Sequence, residues 1–156
     1  MALLKRILFM ILIVDIASIK LGRGFVNTTL IFWRCGSQSQ SGNYNRAAME
    51  VKGRLKRNTG RRGNNYYTSE RVRDELRRRC YGHAICNQAL SRQECIDCLQ
   101  VTGTRLIQLC GFALSARVML HDCYMRYSDG YFYEGCKNNA SHLNLNFSPQ
   151  GISELC

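Results

Sequence analysis

The sequence predicts an α+β domain stapled by disulfides, and three observations predict it. Cys86 to Cys98 reads C-x8-C-x2-C, so three of the nine cysteines fall within thirteen residues. Two stretches carry apolar residues at helical spacing. Runs rich in β-branched and aromatic residues lie towards either end, outside those helices. The 156 residues suit one domain with a tail. A hydrophobic content of 46% is ordinary for a globular chain and argues against disorder. The net charge of +11 favours anionic partners such as membranes or acidic polysaccharide, and is silent on fold.

The N-terminus decides how the cysteines are read. Lys5 and Arg6 precede an apolar run, Ile7 to Ile19, broken only by Asp15 and Ser18. A basic region before a short apolar core is the pattern of a signal peptide, and the run is short for a membrane span. We therefore expect a signal peptide over 1–24, a cysteine-rich domain over 25–133 and an irregular, Asn-rich tail over 134–156. Secretion to an oxidising, extracellular compartment, the apoplast, turns cysteines into disulfides. It also makes Asn27, Asn139 and Asn146, each in an N-x-S/T sequon, available for glycosylation.

Taken in order, Phe25 to Arg34 reads as a first strand ending at Cys35. Gly36 to Gly42 is a polar loop. Asn43 or Asn45 then caps a helix running to about Arg57, with Ala47, Val51 and Leu55 as its apolar stripe and Gly60 as a C-cap. Lys52 to Arg79 is strongly basic, with eleven Lys and Arg against Glu70, Asp74 and Glu75, a net of 11 − 3 = +8. Val72 and Leu76, four apart, suggest a further helix over Ser69–Cys80. Tyr81 to Cys86 suits a short strand.

Ser91 and Glu94 form an S-x-x-E capping box, so a helix starts near Arg92. Cys95 and Cys98 then share one helical face and can bond to two different parts of the chain, stapling the helix to both. Cys95, Cys98, Leu99, Thr102, Leu106 and Leu109 make its buried side, and Gly111 ends it. Arg117 to Tyr127 has no Gly or Pro and reads as one long strand carrying Cys123. Ser128-Asp129-Gly130 reads as a turn into a return strand at Tyr131–Tyr133.

Cys86-x8-Cys95-x2-Cys98, the preceding Tyr81-Gly82-x-Ala84-x-Cys86, and Cys110 followed by Ala116-Arg117-Val118 and Asp122-Cys123-x-x-Arg126-Tyr127 together resemble the ginkbilobin-type domain. This is the stress/antifungal domain of plant cysteine-rich secretory proteins and cysteine-rich receptor-like kinases. The resemblance covers roughly Phe25 to Tyr133. It implies two helices on one face of a five-stranded antiparallel sheet. It implies loop and strand, not helix, over Ser69–Cys80, where tertiary context overrides propensity. It also implies the disulfides Cys35–Cys110, Cys86–Cys95 and Cys98–Cys123. Cys80, Cys136 and Cys156 lie outside the pattern; we expect Cys136–Cys156 to pair, leaving Cys80 free or available for an intermolecular disulfide.

The same resemblance implies an antifungal role and a mannose site. In the family an Asn just after the first cysteine, an Arg in the A-R-V strand and an acidic residue after the last Tyr hold the sugar. Amide, carboxylate and planar guanidinium groups suit adjacent pyranose hydroxyls. Here the Arg position is Arg117, which matches. The other two are Gly36 and Ser128, which depart, with Asp129 one residue beyond as a substitute carboxylate. Expected partners are thus mannose-containing glycans of the fungal wall, or, if the altered site binds no sugar, another protein at the cell surface. Arg54 to Arg79 offers a basic face for anionic membranes or wall polymers. A secreted chain is not expected to meet nucleic acid.

Other chemistry is poorly supported. Cys95-x-x-Cys98 lacks the strand–helix–strand setting and the Pro of a thioredoxin-like redox pair. Cys86, Cys95, Cys98 and His83 lack the spacing of a zinc knuckle. None of His83, His121 and His142 sits in a nucleophile motif. We expect a non-enzyme, with no cofactor and no metal.

Overall fold

A computed structural model describes residues 25–75 and 77–132. Five strands form one antiparallel sheet: β1 (Leu30–Cys35), β2 (Asn65–Arg71), β3 (Arg79–Cys86), β4 (Ser115–Leu120) and β5 (Cys123–Ser128). Their spatial order is β1-β4-β5-β3-β2. Two helices, α1 (Gly42–Asn58) and α2 (Arg92–Cys110), supply the second layer. The architecture is the α+β fold implied by the resemblance.

The helices form for local reasons. At α2 the Ser91 hydroxyl accepts from the Glu94 N–H and the Glu94 carboxylate accepts from the Ser91 N–H at 2.8 Å, a complete capping box. Gly111 closes the helix at φ 56°, a backbone region open to glycine. Cys95, Cys98, Leu99, Thr102, Leu106 and Cys110 are buried, but Leu109, expected on that face, is exposed. At α1 the cap is Ser41, whose hydroxyl accepts from the Tyr44 N–H, and not Asn43 or Asn45. The Asn43 amide instead donates to the Arg73 carbonyl. Gly60 does not cap α1 either: the helix tightens into a 3-10 turn over Thr59–Arg61, with the Thr59 hydroxyl donating to the Leu55 carbonyl at 2.6 Å.

Gly82 positions α1 on the sheet. A Cβ there would lie 2.2 Å from Val51 Cγ1 and 3.0 Å from Leu55 Cδ1, so only glycine lets the helix approach β3 this closely. Around this contact Tyr44, Val51, Leu55, Leu99, Leu106, Val118, Leu120, Met125 and Tyr127 are fully buried. The Tyr44 and Tyr127 hydroxyls are satisfied by the carbonyls of Leu114 and Ala113.

The disulfides are Cys35–Cys110, Cys86–Cys95 and Cys98–Cys123. They tie α2 to β1, to the end of β3 and to the start of β5. With its ends 75 positions apart, Cys35–Cys110 restricts the unfolded chain most, by about 4–5 kcal/mol on the chain-entropy estimate. Cys86, Cys95 and Cys98 are all taken up in these bonds, which removes both the redox pair and the zinc set. Cys80 is free and fully buried.

Three strand readings change. The first strand begins at Leu30, not Phe25, because β4 ends at Leu120 and the earlier residues meet a turn: His121 N–H donates to the Thr29 carbonyl and Asn27 N–H to the Asp122 carboxylate. Those bonds also split the expected strand Arg117–Tyr127 into β4 and β5 at His121–Asp122. Burial alone would raise the Asp122 carboxyl pKa, but hydrogen bonds from Asn27, His121 and Asn87 outweigh it and hold it below its ordinary value. The helix suggested over Ser69–Cys80 is the end of β2, a loop closed by Val72 N–H to the Arg78 carbonyl, and the start of β3. Tyr131 and Phe132 are not strand. The segment expected to be a signal peptide, Tyr133, Cys136, Asn139, Asn146, Cys156 and the rest of the expected tail lie outside the described residues.

Candidate functional site

The sheet register assembles the site. Arg34 on β1 pairs opposite Arg117 on β4, and Arg117 opposite Arg126 on β5. The row continues through His83 on β3 to Tyr67 on β2. At its β1 end lies an open groove of about 560 Å³, lined by Arg34, Cys35, Gly36, Ser115, Ala116, Arg117, Arg126 and Phe132. Two of the guanidinium groups sit over aromatic rings: Arg117 over Phe32 at 5.1 Å and Arg126 over Phe132 at 4.0 Å. No acidic residue is among the described residues of the lining.

Two of the four sequence candidates meet here. Arg117 and Gly36 both line the groove. Gly36 N–H donates to the Ser115 carbonyl at 2.8 Å, and a Cβ at position 36 would fall 2.3 Å from the Ser115 hydroxyl oxygen. An Asn at 36 therefore requires Ser115 to rotate away. Ser128 stands opposite Ser115 at the next same-face step beyond Arg126, and its hydroxyl accepts from the Gly130 N–H. Neither Ser128 nor Asp129 is among the described lining. Asp129 is anchored by its N–H to the Leu114 carbonyl, and its charge reaches Tyr44 and Cys80 in the helix-facing layer.

That layer holds a second polar cluster. Burial, then the neighbouring Cys80 thiol, pushes the Tyr44 hydroxyl pKa far above its ordinary value. Burial also lifts the Cys80 thiol to about 11 and the Tyr127 hydroxyl to about 12. Lys52 Nζ lies 5.2 Å from the Tyr127 ring centroid, and its own pKa is lowered by burial. A thiol so reluctant to ionise is a poor nucleophile, so Cys80 reads as packing.

The basic segment is more neutral in space than along the chain. Arg54 pairs with Glu70 at 2.5 Å and Arg78 with Asp74 at 2.7 Å. A shallow depression of about 210 Å³ there mixes Arg46, Arg54, Arg71 and Arg73 with Glu50 and Glu70. Tyr67 of the Tyr66-Tyr67 pair stacks on His83 at 3.7 Å, which is packing. Arg34 and Arg126 were not singled out from sequence as ligands. Arg34 precedes Cys35 and Arg126 lies within the Asp122-Cys123-x-x-Arg126-Tyr127 motif, but only pairing register puts them beside Arg117.

Comparison with known proteins agrees with this fold. Residues 34–130 match the family model described as salt stress response/antifungal. The chain is 33% identical to antifungal protein ginkbilobin-2 of Ginkgo biloba over 68% of its own length and 80% of that protein. It is 34% identical to antifungal protein ginkbilobin-like protein 1 of Picea sitchensis over 76% and 87%. Its fold resembles the tandem DUF26 ectodomain of the Arabidopsis thaliana cysteine-rich receptor-like protein PDLP5, with a TM-score of 0.53 and 30% identity, covering 69% of this chain and 48% of that one. The chain thus spans about half of that tandem ectodomain. With the triple-cysteine motif, the disulfide pattern and the five-stranded sheet all in place, the chain belongs to the salt stress response/antifungal family.

Proposed function

We propose that this chain is a secreted plant defence protein that binds carbohydrate in the Arg117 groove, with a ligand set altered from the mannose site of its family. The observation that supports it most is the position of Arg117. It lines an open groove beside Gly36 and the Cys35–Cys110 disulfide, and Arg117 and Gly36 are two of the positions at which the family resemblance implies a sugar. The names of its relatives carry the antifungal part of the reading. No helix among the described residues is long and apolar enough to cross a membrane.

The second reading is an extracellular module that binds another protein and no sugar. It is favoured by Gly36, which offers no side chain and backs onto Ser115, and by Ser128 in place of the acid. A glycan array on the oxidised, signal-free protein separates the two. Carbohydrate binding predicts retention of at least one glycan class and its loss in Arg117→Ala, with loss of hyphal growth inhibition in the same variant. An array with no bound glycan overturns the first reading and leaves the second. The basic face around Arg54 to Arg79 is an additional attachment surface for anionic membranes or wall polymers; vesicle binding insensitive to salt counts against it.

A further inference from the structure

Ser115 is the one residue of the described groove lining whose side chain carries an oxygen. The others present guanidinium groups, a phenyl ring, a methyl, a disulfide sulfur or, at Gly36, nothing. The Ser115 carbonyl accepts from the Gly36 N–H, but its hydroxyl has no hydrogen-bond partner among the described residues. Nor is that oxygen one of the buried orphan atoms of the described residues, which are Asn45 Oδ1 and Asp74 Oδ1. The hydroxyl of Ser128, opposite Ser115 on β5, is by contrast committed to the Gly130 N–H.

Gly36 keeps the Ser115 oxygen uncovered. A Cβ at 36 would fall 2.3 Å from it, whereas the Ser115 carbonyl oxygen and nitrogen would be 3.3 and 3.4 Å away. The backbone does not call for glycine here: the positive-φ glycines among the described residues are Gly63 and Gly111. Packing does not call for it either, since a serine hydroxyl can rotate to another staggered position. What glycine at 36 provides is an unobstructed hydroxyl in the present rotamer.

We propose that Ser115 is a sugar-binding residue of the groove, its hydroxyl accepting from one hydroxyl of a pyranose that Arg117 holds through others. This rests on the carbohydrate reading of the same groove and deepens it. A sugar hydroxyl donates as well as accepts, and arginine has donors only. Arginines alone would leave the hydroxyl protons of the bound sugar without a side-chain acceptor. Ser115 supplies that acceptor, and its own proton can turn to a second sugar oxygen. Its place suits the task. Ser115 and Arg117 lie two residues apart on β4, so they stand on one face, about 7 Å apart along the strand. One pyranose ring with its hydroxyls spans such a gap. Arg117 is steadied over the Phe32 ring at 5.1 Å, which lowers the ordering cost of binding.

The test is an array of mannose-, glucose-, galactose- and N-acetylglucosamine-terminated oligosaccharides, read as the half-saturating concentration of the oxidised, signal-free protein. Ser115→Ala should raise that concentration roughly two- to tenfold, the usual effect of losing one neutral hydrogen bond, with the denaturant midpoint unchanged. Gly36→Ala should do the same by turning the hydroxyl aside. Because both changes remove one contact, the double variant should bind no worse than either single one. Glycan binding lost in Arg117→Ala but kept in Ser115→Ala would overturn this proposal and leave the carbohydrate reading standing. So would losses that add in the double variant, or a Gly36→Ala protein that binds as the parent does. An array with no bound glycan would overturn both.

Discussion

The two faces of the one sheet obey different rules. The face towards the helices is set by volume: Gly82, Ala84, Val118, Leu120, Met125 and Tyr127 are buried there, and a single added methyl at Gly82 meets Val51. At the β1 end of the other face, the groove is set by register. Arg34, Arg117 and Arg126 make no jigsaw, and their common row exists only because β1, β4 and β5 pair as they do. Changes on the first face should therefore be read in stability and changes on the second in binding. The helix-facing side also carries one imperfection, the buried amine of Lys52.

The largest effect expected on the buried side is loss of Cys35–Cys110. Replacing both cysteines by serine should lower stability by about 4–5 kcal/mol on the chain-entropy estimate, because they lie 75 positions apart. Chemical denaturation of the double variant measures this; a loss no larger than that for Cys86–Cys95, nine residues apart, would show that strain or residual structure in the unfolded chain dominates. Next comes Gly82→Val, which drives a side chain into Val51 and Leu55 and should cost about 1–3 kcal/mol or more through overpacking. Glycan binding per folded molecule should stay unchanged, and a variant that keeps its stability but loses binding would break the contrast between the faces.

A smaller effect sharpens the comparison. Lys52→Met keeps the apolar stem and removes a charge whose burial is unfavourable, so it should raise stability near neutral pH by about 1 kcal/mol. The pH dependence follows from the sign of the shift. The folded pKa of Lys52 lies below its ordinary value of 10.5, so between the two the unfolded chain binds more protons. The penalty is present in full below the folded pKa and is relieved as pH rises through it towards 10.5. The stability gap between Lys52→Met and the parent should therefore narrow on the alkaline side. A gap independent of pH from neutrality to 10.5 would mean that lost contacts, such as that with the Tyr127 ring, outweigh the charge.

Some of this was legible in the chain. The α2 start could be read because Ser91 and Glu94 act on each other three residues apart, and the α1 stripe because Ala47, Val51 and Leu55 repeat within one helix. The reading failed where a distant partner intervenes. Val72 and Leu76 keep helical spacing, but residues on both sides pair as β2 and β3. The turn at His121–Asp122 contains no turn residue of the Gly or Pro kind; it is held by Asn27 and Thr29, more than ninety residues earlier. Gly36 read as a missing ligand is also a close approach to Ser115.

By itself, then, the sequence determined what acts over a few residues: helix caps, apolar stripes, the cysteine spacing and an excess of positive charge. The family pattern carried by those cysteines extended that to strand number and disulfide partners. Tertiary structure alone decided which charges converge. The basic segment, dense in Arg along the chain, is partly neutralised by Glu70 and Asp74, whereas Arg34, far away in sequence, joins Arg117 and Arg126 in one groove. Charges interact through distance in space, and in an antiparallel sheet that distance is set by long-range backbone pairing, to which local sequence contributes little.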